Sequence, residues 1–161
     1  MPRYHARRTD REITEPEALA SVLRRGRYAT LALCQGGAPY IVTLSYGFDE
    51  PGRALYFHVA RSGRKLDALA ADPRVCATVV IDGGYEQGAC KHHYESVVIE
   101  GRATIVTGLE EARHGMEVLV GHLEVDPAPV WERNGLTGDE AYRPVQILRL
   151  DIDEMTGKAG S

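Results

Sequence analysis

A mainly β domain of six strands, curled into a closed or partly closed barrel with about three connecting helices, is the architecture that this 161-residue sequence predicts. Three observations predict it. Six runs rich in branched and aromatic residues have strand length, and turn residues separate them. A sustained helical period appears only in the connections between those runs. Closing the sheet on itself is also the economical way to remove exposed strand edges. The length suits a single domain spanning 1–161, large enough to bury a real core.

Residues 1–13 carry no apolar period and read as an N-terminal arm. Thr14-Glu15-Pro16-Glu17 has the spacing of a capping box, with Thr14 as cap and Glu17 three positions on. Ala18, Leu19, Val22 and Leu23 then form one apolar face, ended by Gly26, on a helix expected to lie as a lid over one end of the sheet. Tyr28–Cys34 is a strand before the Gln35-Gly36-Gly37 turn, and Pro39–Phe48 is the next. Asp49-Glu50-Pro51-Gly52 leads into a third strand over Leu55–Val59. Turns this short predict an antiparallel meander of the three. Thr43 and Ser45 share one face of it, while Ile41 and Leu44 differ in parity.

Leu66 and Leu69 recur at helical spacing until Asp72-Pro73 stops the run. Val75–Ile81 is almost wholly apolar and reads as a buried strand, followed by the Asp82-Gly83-Gly84 turn and an irregular loop to Ala89. Tyr94–Val106 is the fifth strand, with Gly101 marking a bulge that helps the sheet curl. Leu109–Leu123 is helical by period, with Ala112, Met116, Leu119, Val120 and Leu123 inward. Residues 124–143, holding Pro127, Pro129, Gly135 and Gly138, read as a long surface loop, either mobile or functional. Val145–Ile152 alternates and supplies the last strand.

Composition excludes several classes of function. A net charge of −4 argues against a nucleic-acid partner, whose binding depends on neutralising phosphates. No apolar run approaches the roughly 20 residues of a membrane helix. Met1–Arg11 is basic but lacks the apolar centre of a secretion signal, so a cytoplasmic protein with no membrane partner is expected. Cys34, Cys76 and Cys90 are widely spaced, which suits reduced thiols, the first two as core residues. Neither a Gly-x-Ser-x-Gly elbow nor a triad order appears. Cys90-Lys91-His92-His93 lacks a second ligand pair, and His114 and His122 stand eight apart on a helix, so no metal site is expected. His92 or His93 suits a pocket mouth instead. Trp131 either stacks on a ligand or seals a core edge or subunit contact.

The stretch with the most chemistry is Arg61-Ser62-Gly63-Arg64-Lys65, between the third strand and its helix. A helix start has free N–H groups and favours an anion. Ser62, Arg64 and Lys65 add hydroxyl, forked and point-charge donors, a set suited to a phosphate, although the same residues also suit a solvated helix start. His58 ends the strand just before, where an imidazole can meet a phosphate, a ring or a substrate proton.

With those residues in view the sequence resembles the pyridoxamine-phosphate-oxidase-like flavoproteins of the FMN-binding split β-barrel fold, and most closely their nitroimidazole-resistance branch. The likeness rests on Asp10-Arg11-Glu12-Ile13, on Tyr56-Phe57-His58 with Gly63-Arg64-Lys65-Leu66, on Tyr94-Glu95-Ser96-Val97 with Gly101 behind it, and on Thr156-Gly157-Lys158. It implies a six-stranded split barrel and a homodimer with FMN at the interface. It implies that Ser62, Arg64 and Lys65 hold the phosphate, that the ring lies along Val42, Thr43, Leu44 and Ser45, that Ser96 sits near the ring, and that His58 faces the cofactor as the candidate catalytic residue. The activity implied is electron transfer from a nicotinamide donor to a small-molecule acceptor such as a nitroimidazole. Alternatives within the fold are a deazaflavin or haem cofactor, the latter with a ligand from His92-His93, and a flavin-binding module without turnover. The oxidase proper grips its vitamin B6 substrate with an Arg/Trp-rich terminal segment. Thr156-Gly157-Lys158 stands here instead, so that activity is not expected.

Overall fold

The computed structural model describes residues 7–160, so Met1–Ala6 of the expected N-terminal arm and Ser161 lie outside the described residues. A short 3-10 turn at Thr9–Arg11 leads into β1 (Glu12–Ile13), and helix α1 (Pro16–Arg25) follows. The cap of α1 is Glu15 rather than Thr14, with no side-chain cap bond. The capping box therefore does not form, and Pro16 opens the helix because its fixed φ already matches the first turn. Leu19, Ala20, Val22 and Leu23 are buried. They close one end of the barrel, as the lid reading expects, and Tyr46 locks the helix end by donating its hydroxyl to Leu23 O at 2.6 Å.

Strands β2 (Tyr28–Gln35) and β3 (Ala38–Ser45) form a hairpin across Gly36 and Gly37. Their φ values of +58° and +81° are the left-handed angles that a two-residue hairpin turn requires. The expected strand Pro39–Phe48 then breaks at Tyr46, and only its last residues, Gly47 and Phe48, pair antiparallel with Tyr56 and Leu55 as the meander predicts. Next come β4 (Gly47–Asp49) and β5 (Ala54–His58), helix α2 (Arg64–Ala71), β6 (Arg74–Glu86) and β7 (Lys91–Ile105). The chain ends with α3 (Leu109–Leu123), α4 (Ala128–Arg133), α5 (Asp139–Tyr142) and β8 (Ile147–Gly160). The antiparallel sheet runs β3-β2-β6-β7-β8-β5-β4, with β1 also on β8. Thus β5 pairs with β8 and not with β3, which it only passes. The gap between β3 and β5 leaves the barrel split. Tyr46 makes the difference: fully buried and bonded to α1, it is the single residue at which the chain leaves β3 and starts β4 on the other lip of the split.

Three other expectations change. Asp82–Glu86 is strand with a bulge between Asp82 and Tyr85, so β6 and β7 form one long hairpin arm in place of the irregular loop. Residues 124–143 contain α4 and α5 and are not a structureless loop. The last strand continues to Gly160, because β1 and β7 give it two partners beyond Ile152. Gly101 does mark a bulge: the β7–β8 register shifts between Glu100 and Gly101, and a Cβ at Gly101 would collide with the Asp151 carbonyl oxygen.

The main core fills the barrel with Leu31, Leu55, Phe57, Val79, Val97, Ile99 and Leu150 beneath α1. A second cluster of Ala54, Tyr56, Ala112 and Ile147 lies outside the barrel wall, under α3. Strand β5 is consequently buried on both faces. Among the described residues no helix is long and apolar enough to cross a membrane.

Candidate functional site

The edge strand β3 carries four of the nominated residues. Val42 and Leu44 are half-buried and packed against the barrel core, while Thr43 and Ser45 face outward and are exposed. Thr43 Oγ1 is 2.9 Å from Thr30 Oγ1. The register places Thr43, Thr30, Thr78, Val98 and Thr156 in one row across five strands. Ser96, paired with Val80 and Lys158, lies on this outward face, half-buried, with its hydroxyl 3.5 Å from Lys158 O. Around that row Tyr28, Ile41 and Val80 are 64%, 66% and 56% exposed. These exposed apolar side chains stand around the hydroxyl row on the outer face of the sheet.

At the hairpin end of β3 stands the start of α2. Gly63 is its cap with φ +131°, and no side chain bonds the first N–H groups. The strained angle turns the chain so that Arg64 and Lys65 follow at once on the helix. Arg64 Nε donates to Gln35 Oε1 at 3.1 Å, and its Cζ lies 4.2 Å from the Tyr40 ring centroid. Lys65 is half-buried and Ser62 exposed. Arg61 turns the other way, donating to the carbonyls of Arg143 at 2.7 Å and Pro144 at 3.2 Å. The basic turn is therefore divided, with Arg64 toward β3 and Arg61 toward the segment before β8.

His58 ends β5 opposite Ile147 and is exposed. It shares parity with Tyr56, on the α3 side of the strand, while Leu55 and Phe57 point into the barrel. His92 and His93 lie on the hairpin arm, beside Asp82 at 2.9 Å and Glu86 at 3.3 Å. His114 pairs with Asp49 at 2.8 Å, and His122 donates to Gly26 O at 2.7 Å. All three cysteines are exposed, so the core placement of Cys34 and Cys76 is wrong. Both stand on the outward parity of their strands, where Ala32 pairs with Cys76. Trp131 is half-buried in α4.

Two positioning residues, Gln35 and Tyr40, escape a reading of the motif alone. Gln35 passes for turn punctuation and Tyr40 for a strand aromatic, and only the fold brings them beside Arg64. The donor set at this corner is a hydroxyl, a guanidinium, an ammonium and the free N–H groups of an eight-residue helix. That chemistry fits a phosphate ester.

A family model described as pyridoxamine 5'-phosphate oxidase matches residues 15–159. Among solved structures, a candidate 5-nitroimidazole antibiotic resistance protein from Bacteroides thetaiotaomicron is 23% identical with a TM-score of 0.77, covering 92% of this chain and 86% of that one. An FAD-binding protein from Mesorhizobium loti is 24% identical with a TM-score of 0.65, covering 92% and 96%. The FAD and haem binding protein from Mycobacterium smegmatis is 20% identical with a TM-score of 0.72, covering 94% and 74%. At these identities the likeness is one of fold. No curated protein matches the chain.

Proposed function

The chain belongs to the pyridoxamine 5'-phosphate oxidase family, and on that premise we propose that it is an FMN-binding flavoprotein, working as a homodimer, that passes electrons from a nicotinamide donor to a small acceptor such as a nitroimidazole. The observation that carries this reading is the layout of β3: an edge strand with Arg64 stacked at one end, Lys65 next to it on α2, and hydroxyls along the rest. From Tyr40 to Ser45 such a strand spans about 17 Å at roughly 3.3 Å per residue. That leaves room for a phosphate at the α2 corner and a three-ring head beside Thr43 and Ser45.

Each residue has a role in this reading. Lys65 supplies a point charge and Ser62 a hydroxyl to the phosphate. Arg64 arrives already aimed by Gln35 and Tyr40, so little of its rotamer freedom is lost on binding. Thr43, Ser45, Ser96 and the backbone of Val42 and Leu44 offer donors at the ring edge, where negative charge develops on reduction. FMN, when bound, supplies the hydride and electron chemistry. His58 is the candidate to hold a proton for the acceptor at a ring nitrogen.

The outward face supports the dimer. Its exposed Tyr28, Ile41, Val80 and Val98 make an apolar patch on which the proposed ring site borders. Lys158 stands beside Ser96 at one end of β7 and Glu100 two rows on. A copy related by a twofold axis through the row between them would set Lys158 of one protomer against Glu100 of its partner. The haem alternative has no comparable feature, because His92 and His93 sit on an exposed arm beside carboxylates.

The absorption spectrum of the purified protein and the mass of its extracted cofactor test this reading. A flavin spectrum and the mass of FMN are expected, and a haem Soret band or a deazaflavin mass would overturn the cofactor assignment. Bleaching by NADPH or NADH, with recovery on adding a nitroaromatic, is expected of the enzyme. A flavin that neither donor reduces would leave a binding module.

A further inference from the structure

On the far side of the basic turn from β3 lies a cavity of about 520 Å³ between the end of β7, the start of α3 and the segment leading into β8. That volume falls in the range of small-ligand sites. Val106, Leu109, Tyr142 and Val145 give it an apolar floor, and Arg61, Thr107 and Gln146 bring polar groups to its wall. The two arginines on its rim differ in charge balance. Arg143 is neutralised by Glu140, at 2.5 and 2.7 Å. Arg61 bonds only backbone carbonyls among the described residues, so its positive charge has no carboxylate partner there. Those two bonds hold Arg61 through Nε and one terminal nitrogen, leaving Nη1 free to donate. The side chains of Thr107 and the half-buried Gln146 likewise have no hydrogen-bond partner among the described residues.

We propose that this cavity binds a small amphipathic monoanion, an organic carboxylate whose apolar body rests on Val106, Leu109 and Val145 while its charge meets Arg61. One uncompensated cation calls for one negative charge, and a guanidinium already fixed in place loses little freedom on binding it. Thr107 and Gln146 supply the remaining donors. The site stands apart from the β3 corner and does not depend on the flavin reading, since Arg61 is turned away from Arg64 and Lys65.

Sodium benzoate is the probe, titrated into the purified full chain by calorimetry and followed by NMR, with FMN at saturation. The expected result is saturable one-to-one binding, with ring-proton contacts to the methyl groups of Val106, Leu109 and Val145. Benzamide, of the same shape but neutral, is expected to bind at least tenfold more weakly. Arg61→Gln is expected to lose at least tenfold in affinity, and Arg143→Gln no more than threefold. No saturable binding, equal binding of benzamide, or contacts to other methyl groups would overturn the proposal. If Arg61→Gln unfolds, the benzamide comparison and the contact map in the unaltered protein still decide it.

Discussion

Arg64 lies over Tyr40, its Cζ 4.2 Å from the ring centroid, so the cation at the start of α2 is aimed by a residue of β3. Helix and edge strand thus form one corner. Replacing Arg64 and Lys65 together by Ala should weaken FMN binding by more than a hundredfold, since charged hydrogen bonds contribute about 1.5–3 kcal/mol each. Tyr40→Ala, which removes the stacking together with some packing against the core, should cost a few-fold. Quenching of FMN fluorescence measures both, and unchanged affinity in the double variant rejects the phosphate assignment.

Thr43→Val keeps the branched shape of a strand residue but removes the hydroxyl bonded to Thr30. Folding stability should change by no more than about 1 kcal/mol. The flavin midpoint potential should fall, because a donor to the reduced ring is gone. A potential equal to that of the unaltered protein would remove Thr43 from the site.

Val80→Asp with Val98→Asp places charges on the exposed outward face, where neither side chain supports the core. The variant is expected to fold, to run as a monomer in light scattering, and to hold less flavin. A dimer of unaltered size would move the subunit contact elsewhere.

Gly115→Ala should destabilise the fold by about 1–3 kcal/mol in urea titration, the usual cost of overpacking. A Cβ there would sit 2.7 Å from Tyr56 Cδ1 and 2.9 Å from Ile147 Cγ2, and would push α3 off the barrel wall. A neutral result would mean that α3 is not seated tightly on β5.

Asp49 bears on stability at acid pH. Its burial favours the neutral acid, but hydrogen bonds with His114 and from Gly52 N–H outweigh that, so its pKa is lowered. A carboxylate depressed in the folded state contributes stability that is complete above its unfolded pKa of about 3.9 and is lost as pH falls below it. The stability gap between the unaltered protein and Asp49→Asn should therefore be constant from pH 5 to 7 in this respect, at about 1–3 kcal/mol. It should narrow below about pH 4. A gap that does not change on acidification would rule out this role.

Much of the fold was legible because it rests on local chemistry. Gly36-Gly37 required a tight turn, Leu66 and Leu69 with Asp72-Pro73 bounded α2, and Gly101 announced the bulge. What misled was adjacency in the chain. Short turns made β5 look like a hydrogen-bonded partner of β3, yet the chain breaks at the buried Tyr46 and β5 passes β3 across the split without pairing with it. Cys34 and Cys76 read as core because their strands are apolar. Strand period alone does not say which parity faces the barrel.

The sequence by itself determined the main strands and the helices α1, α2 and α3, the cations at the start of α2 and the hydroxyls of β3, because propensity and turn chemistry act within a few residues. Tertiary structure decided which of those groups meet. The tertiary fold puts Tyr40 and Gln35 beside Arg64, turns Arg61 to a different cavity, and lines up hydroxyls from four strands in one row. Such proximities come from long-range strand pairing, whose register depends on burying one face of every strand at once.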